Sequence, residues 1–114
     1  MNAAPPAPVH PLAEGLRVVL FVDRDAPEAA ATQARFEAVR WPQGTRTEII
    51  DVSTDLECAR WYGIADVPAV AVVCDGALLA IEHACDAGAC RRVYEMAHQR
   101  DPRTLDWFRR RRAQ

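Results

Sequence analysis

The feature that most constrains this chain is the stretch "VPAVAVVCDGALLAIEHA", residues 67–84. Two apolar runs flank Asp75-Gly76. Asp-Gly is the strongest short-range signal for a two-residue turn between antiparallel strands, because both turn positions need positive φ. The stretch therefore reads as a hairpin, and the upstream sequence must supply the rest of its sheet. "LRVVLFV", residues 16–22, is a nearly continuous, β-branched apolar run, the pattern of a strand buried on both faces. "TRTEIIDV", residues 45–52, supplies a second strand.

Helical patterns separate these strands. "DAPEAAATQARFEAVRW" follows the first, with Asp25 as N-cap, Glu28 completing a capping box and Pro27 tolerated in the first turn. Ala29, Phe36 and Val39 form its apolar stripe. "PQG", residues 42–44, breaks the chain. A short helix, "DLECARWYG", starts at an Asp55 cap and stops at Gly63. "DAGACRRVYEMAHQR" closes the domain with Cys90, Val93, Tyr94 and Ala97 on one stripe. The order is β-α-β-α-β-β-α, an α/β three-layer sandwich. Helices between the first three strands imply parallel crossovers, and the hairpin adds an antiparallel edge, so the sheet is mixed.

At 114 residues the chain makes one domain with a single core. Residues 1–15 read as a Pro- and Ala-rich disordered leader, 16–100 as the domain, and 101–114 as a basic extension. Residues 101–114 carry five Arg and two Asp, which leaves a net charge of −5 on residues 1–100. Cations near the negative end of a terminal helix account for the tail Arg109, Arg110, Arg111 and Arg112. Trp107-Phe108 beside them suits stacking on bases, but with no basic face elsewhere a nucleic-acid partner is not expected. No apolar run is long enough to span a membrane and no secretory signal is visible, so a cytoplasmic location is expected, where thiols stay reduced.

With Val67-Pro68 opening the hairpin, this order resembles the thioredoxin fold. The match is strongest in "WYGIADVPAVAVVCDGALLAIE", residues 61–82, and extends over roughly residues 16–98. The resemblance implies a cis proline at Pro68 facing the first turn of the first long helix, where an extended client segment pairs with the backbone. It also places Ala26 and Ala29 where the family keeps its two reactive cysteines. Alanine supplies no thiolate, the nucleophile of disulfide exchange, so no catalytic residue is assigned there. What remains is a platform, Ala26, Pro27 and Glu28 opposite Val67 and Pro68, expected to bind a protein partner. The bland reading of residues 25–28 is a well-capped helix start. "LFVDRDAPEAA" and "IIDVSTDLECARWYGIADVPAV" are also similar to the N-terminal half of KaiB, a family that lacks the cysteine pair and works by binding partner proteins. Past Pro68 the hairpin follows thioredoxin instead. The resemblances imply a non-catalytic accessory, assembly or chaperone-like module, with a KaiB-like regulatory binder as one alternative.

The other alternative is an oxidoreductase using Cys85 and Cys90, the only close cysteine pair. Cys85 precedes a helix N-terminus, which lowers a thiol pKa, and Gly88 frees the intervening loop. Cys90, however, sits on the apolar stripe, and Cys58, Cys74 and Cys90 read as packing residues. His83, Cys85, Cys90 and His98 do not match a zinc spacing, so no metal site and no cofactor are expected. Asp23 and Asp25 read as a strand end and a cap rather than as paired catalytic carboxylates.

Overall fold

A computed structural model describes residues 15–41 and 45–100. The expected leader up to residue 14 and the basic extension with Trp107 and Arg109–Arg112 lie outside the described residues. The elements are β1 (Leu16–Val22), α1 (Ala29–Ala38), β2 (Arg46–Asp51), α2 (Leu56–Trp61), β3 (Ala69–Cys74), β4 (Ala77–Glu82) and α3 (Ala87–Arg100). The strands form one sheet in the order β2-β1-β3-β4.

Strand alternation builds the layers, since successive side chains point to opposite faces. Val18, Leu20, Val22, Val70 and Val72 face one side, with Ala29 and Phe36 of α1 and Cys90, Val93 and Ala97 of α3. Val19, Phe21, Ala69, Ala71 and Val73 face the other, covered by Cys58 and Ala59 of α2 and by Tyr62 at its C-cap. β1 and β3 are fully sandwiched, which is why both read as continuous apolar runs. The stripe expected on α1 is shifted: Ala29 and Phe36 are buried, but Thr32 joins them while Val39 is half-buried at the C-cap.

One expectation about direction is overturned. β1 pairs with β2 in parallel, but β3 runs antiparallel to β1. The reason is length. The six residues of α2 rise only about 9 Å, against about 20 Å for the strand before it. The helix cannot carry the chain back to the start of the sheet, so β3 begins at the end where β2 stops. The hairpin forms as the sequence requires: Cys74 pairs with Ala77, and Asp75 and Gly76 take φ of 50° and 82°. A register shift at Val72/Val73 interrupts the β3–β4 ladder. Asp75 also closes the sheet end: its N–H donates to the Gly15 carbonyl at 2.9 Å, and its carboxylate accepts the Gly15 N–H at 2.9 Å.

Candidate partner-binding site

The start of α1 differs from the capping box expected at Asp25 and Glu28. Helical hydrogen bonding begins at Ala29, Glu28 stands at the N-cap in αR geometry, and no side chain caps the helix. Asp23 organises the residues before it. Its carboxylate accepts the Asp25 N–H at 3.0 Å and its carbonyl accepts the Ala26 N–H at 3.0 Å. An Asp at a strand end readily folds its own following backbone into such a turn. That turn displaces the helix start past Pro27, which has no N–H to contribute.

Ala26, Pro27 and Glu28 are exposed as a consequence, while Ala29 is buried in the core. Phe21 and Ala69 form the last register pair between β1 and β3, so the chain leaves β1 at Val22 and enters β3 from Pro68 at one end of the sheet. The Val67–Pro68 peptide bond is cis, and both residues are half-buried. The five platform residues thus lie on the two loops that meet this sheet end.

A third loop braces the platform, and the sequence reading missed its key residue. The Asp51 carboxylate, at the end of β2, accepts from the Ser53 hydroxyl at 2.7 Å, the Ser53 N–H at 3.1 Å and the Arg24 N–H at 3.2 Å. The Ser53 hydroxyl bond is the main cause that holds its pKa below the ordinary carboxylate value, partly opposed by desolvation. The Asp-Val-Ser spacing, with a hydroxyl two residues after an Asp, is the local signal that could have revealed it. The platform loops carry Asp23, Asp25, Glu28 and Asp66 against a single cation, Arg24. A segment docking here meets a field that favours positive charge.

The thiols stand elsewhere. Cys85 and Cys90, both buried, are brought together within hydrogen-bonding contact, and neither forms a disulfide. The helix-terminus effect expected to lower the Cys85 pKa does not prevail. Burial pushes it up, although the Cys90 hydrogen bond and the Arg35 charge act in the opposite sense. Burial together with Cys85 raises Cys90 to about 12, and burial raises Cys58 to about 11. A thiol shielded from water and held neutral is a poor nucleophile. His83 lies just past β4 and is exposed, while the His98 ring packs at a tilt against Tyr94 with ring centroids 4.8 Å apart. Among the described residues, no three His, Cys, Asp or Glu side chains group closely enough to hold a metal ion. No described helix is long and apolar enough to cross a membrane.

No protein-family model and no curated protein sequence matches this chain. Solved structures do. A Fasciola hepatica thioredoxin is similar at 17% identity and a TM-score of 0.62, covering 82% of this chain and 88% of its own. The oxidised thioredoxin of Plasmodium falciparum is similar at 13% identity and a TM-score of 0.63, over 79% and 86%. The germline-specific thioredoxin Deadhead of Drosophila melanogaster is similar at 14% identity and a TM-score of 0.60, over 71% and 79%. At these identities the likeness is one of fold: the chain is a thioredoxin-like α/β domain.

Proposed function

We propose that this protein is a non-catalytic interaction module, an accessory or assembly factor acting in the cytoplasm. Its partner docks across Ala26, Pro27 and Glu28 on one side and Val67 and Pro68 on the other. The observation that carries this reading is the exposed Ala26 paired with the buried Ala29, at the two positions where the thioredoxin resemblance would place a dithiol. Neither side chain can form or break a disulfide. The four thiols lie outside the platform, and three of them are buried.

Burial and raised pKa values weigh against turnover by Cys85 and Cys90. The KaiB-like resemblance points the same way, toward partner binding without a dithiol. The carboxylates of Asp23, Asp25, Glu28 and Asp66 favour a partner segment that is extended and cationic. A photoreactive residue at position 26 isolates that partner, and titration then compares its affinity for the wild type and for Pro68→Ala. The proposed surface requires weaker binding by Pro68→Ala. Equal affinity overturns it.

A further inference from the structure

We infer that a second site lies away from the platform, in the groove between the C-terminal half of α1 and the side of α3, and that it binds a small planar aromatic anion. The groove is open to solvent and has a volume of about 780 Å³. That falls within the roughly 300–1,000 Å³ usual for small-molecule sites. Its wall combines residues the sequence keeps more than forty positions apart, which is why no motif announced it.

One element of the wall is a continuous aromatic ladder. Phe36 supports Trp41 at 6.0 Å between ring centroids, Trp41 meets Tyr94 at 5.6 Å, and Tyr94 meets His98 at 4.8 Å. Trp41, Tyr94 and His98 line the groove itself. Partly buried rings give a planar ligand a stacking surface at little entropic cost. The Trp41 indole N–H, shielded from solvent, has no acceptor among the described residues. A buried donor in that condition is costly, so a ligand oxygen or ring nitrogen reaching it gains a hydrogen bond that the described residues leave unmade.

The second element is charge. Arg35, Arg40 and Arg91 line the groove, and among the described residues none has a carboxylate within ion-pair distance. Two acids share the wall, Asp86 and Glu95. Asp86 is engaged by α3 itself, accepting the Ala89 N–H at 2.8 Å. The cations therefore outnumber the acids, and guanidinium groups are suited to phosphate and carboxylate. Arg91 stands one helical turn before Tyr94, so an acidic group held by Arg91 lies beside a ring stacked at Tyr94 and Trp41.

A nucleoside monophosphate combines the two features that the groove selects, a flat ring and a compact anion.

Adenosine 5′-monophosphate titrated into the full chain, followed by ¹H–¹⁵N spectra, tests the site, with the Trp41 indole resonance assigned through Trp41→Phe. Adenosine and inorganic phosphate serve as half-ligand controls. The site requires a saturable shift of the Trp41 indole, binding at least about tenfold tighter than either control, and a loss of at least about tenfold in Arg35→Glu/Arg91→Glu. That double variant changes only exposed residues, and unchanged amide dispersion shows that it is folded. Three results overturn the inference: no Trp41 shift at millimolar adenosine 5′-monophosphate or indole-3-acetate, equal binding by the charge-reversed variant, or shifts that track protein concentration alone and so report self-association.

Discussion

The Cys85 thiol donates a hydrogen bond to the backbone carbonyl of Thr32 at 3.6 Å, tying the loop before α3 to the middle of α1. Both residues are buried. The contact gives Cys85 a structural role: it joins the two helices that cover one face of the sheet, and it turns the sulfur away from solvent.

Thiol modification should reflect that burial. Cys74 is the least buried of the four cysteines and should be alkylated first by iodoacetamide. Cys58 and Cys90, with pKa values pushed up to about 11 and about 12, should react slowly at neutral pH, and their rates should still be rising at pH 10. Peptide-resolved mass spectrometry measures the order. Rapid labelling of Cys90 at pH 7 would contradict the burial assigned to it.

Phe36 anchors α1 to the sheet at 2% exposure and supports Trp41. Phe36→Ala should destabilise the domain by about 3–5 kcal/mol, read from urea unfolding followed by circular dichroism. A cost under about 1 kcal/mol would place this ring outside the core.

Asp51 couples stability to pH. Its folded-state pKa is depressed, so its contribution is present above the unfolded value, near 4 on the scale of about 3.9 for a free Asp, and is lost as pH falls through the folded value. Asp51→Asn should therefore flatten the acid limb of the Tm profile below about pH 4, leaving its shape near neutrality unchanged. It should also speed amide exchange at Arg24 and Ser53, whose N–H groups the carboxylate holds. An unchanged acid limb would rule out the brace.

Gly63 ends α2 with φ of 68°, and a Cβ placed there meets nothing within 4 Å. Gly63→Ala should thus cost only the backbone preference, about 1 kcal/mol, seen as a modest fall in Tm. A loss several times larger would mean that the chain rearranges there.

Local signals carried most of the fold. The Asp75-Gly76 turn, the Asp55 cap, whose carboxylate accepts the Cys58 N–H at 3.2 Å, and the Gly63 stop are each decided within a few residues, and each forms as the residues predict. Two features depend on competition or distance and did not. The direction of β3 follows from the shortness of α2 relative to β2, a comparison between elements rather than a pattern in either. The start of α1 was misplaced because Asp23 captured the backbone that Asp25 was expected to cap. At the candidate site, the absence of cysteines at Ala26 and Ala29 was legible, but the bracing by Asp51 came from a neighbouring parallel strand. The groove at Trp41 was not legible at all, since it exists only once α1 and α3 lie on the same face.

The central claim is a thioredoxin-like scaffold that binds without exchanging disulfides. Its most direct test is a peptide-mapped thiol titration through glutathione buffers spanning the cytosolic redox poise, run beside an insulin-reduction assay. The account predicts that Cys58, Cys85 and Cys90 stay reduced throughout and that insulin is not reduced. A reversible Cys85–Cys90 disulfide, with insulin turnover that disappears in Cys85→Ser, would contradict it and identify an oxidoreductase whose dithiol lies in the core.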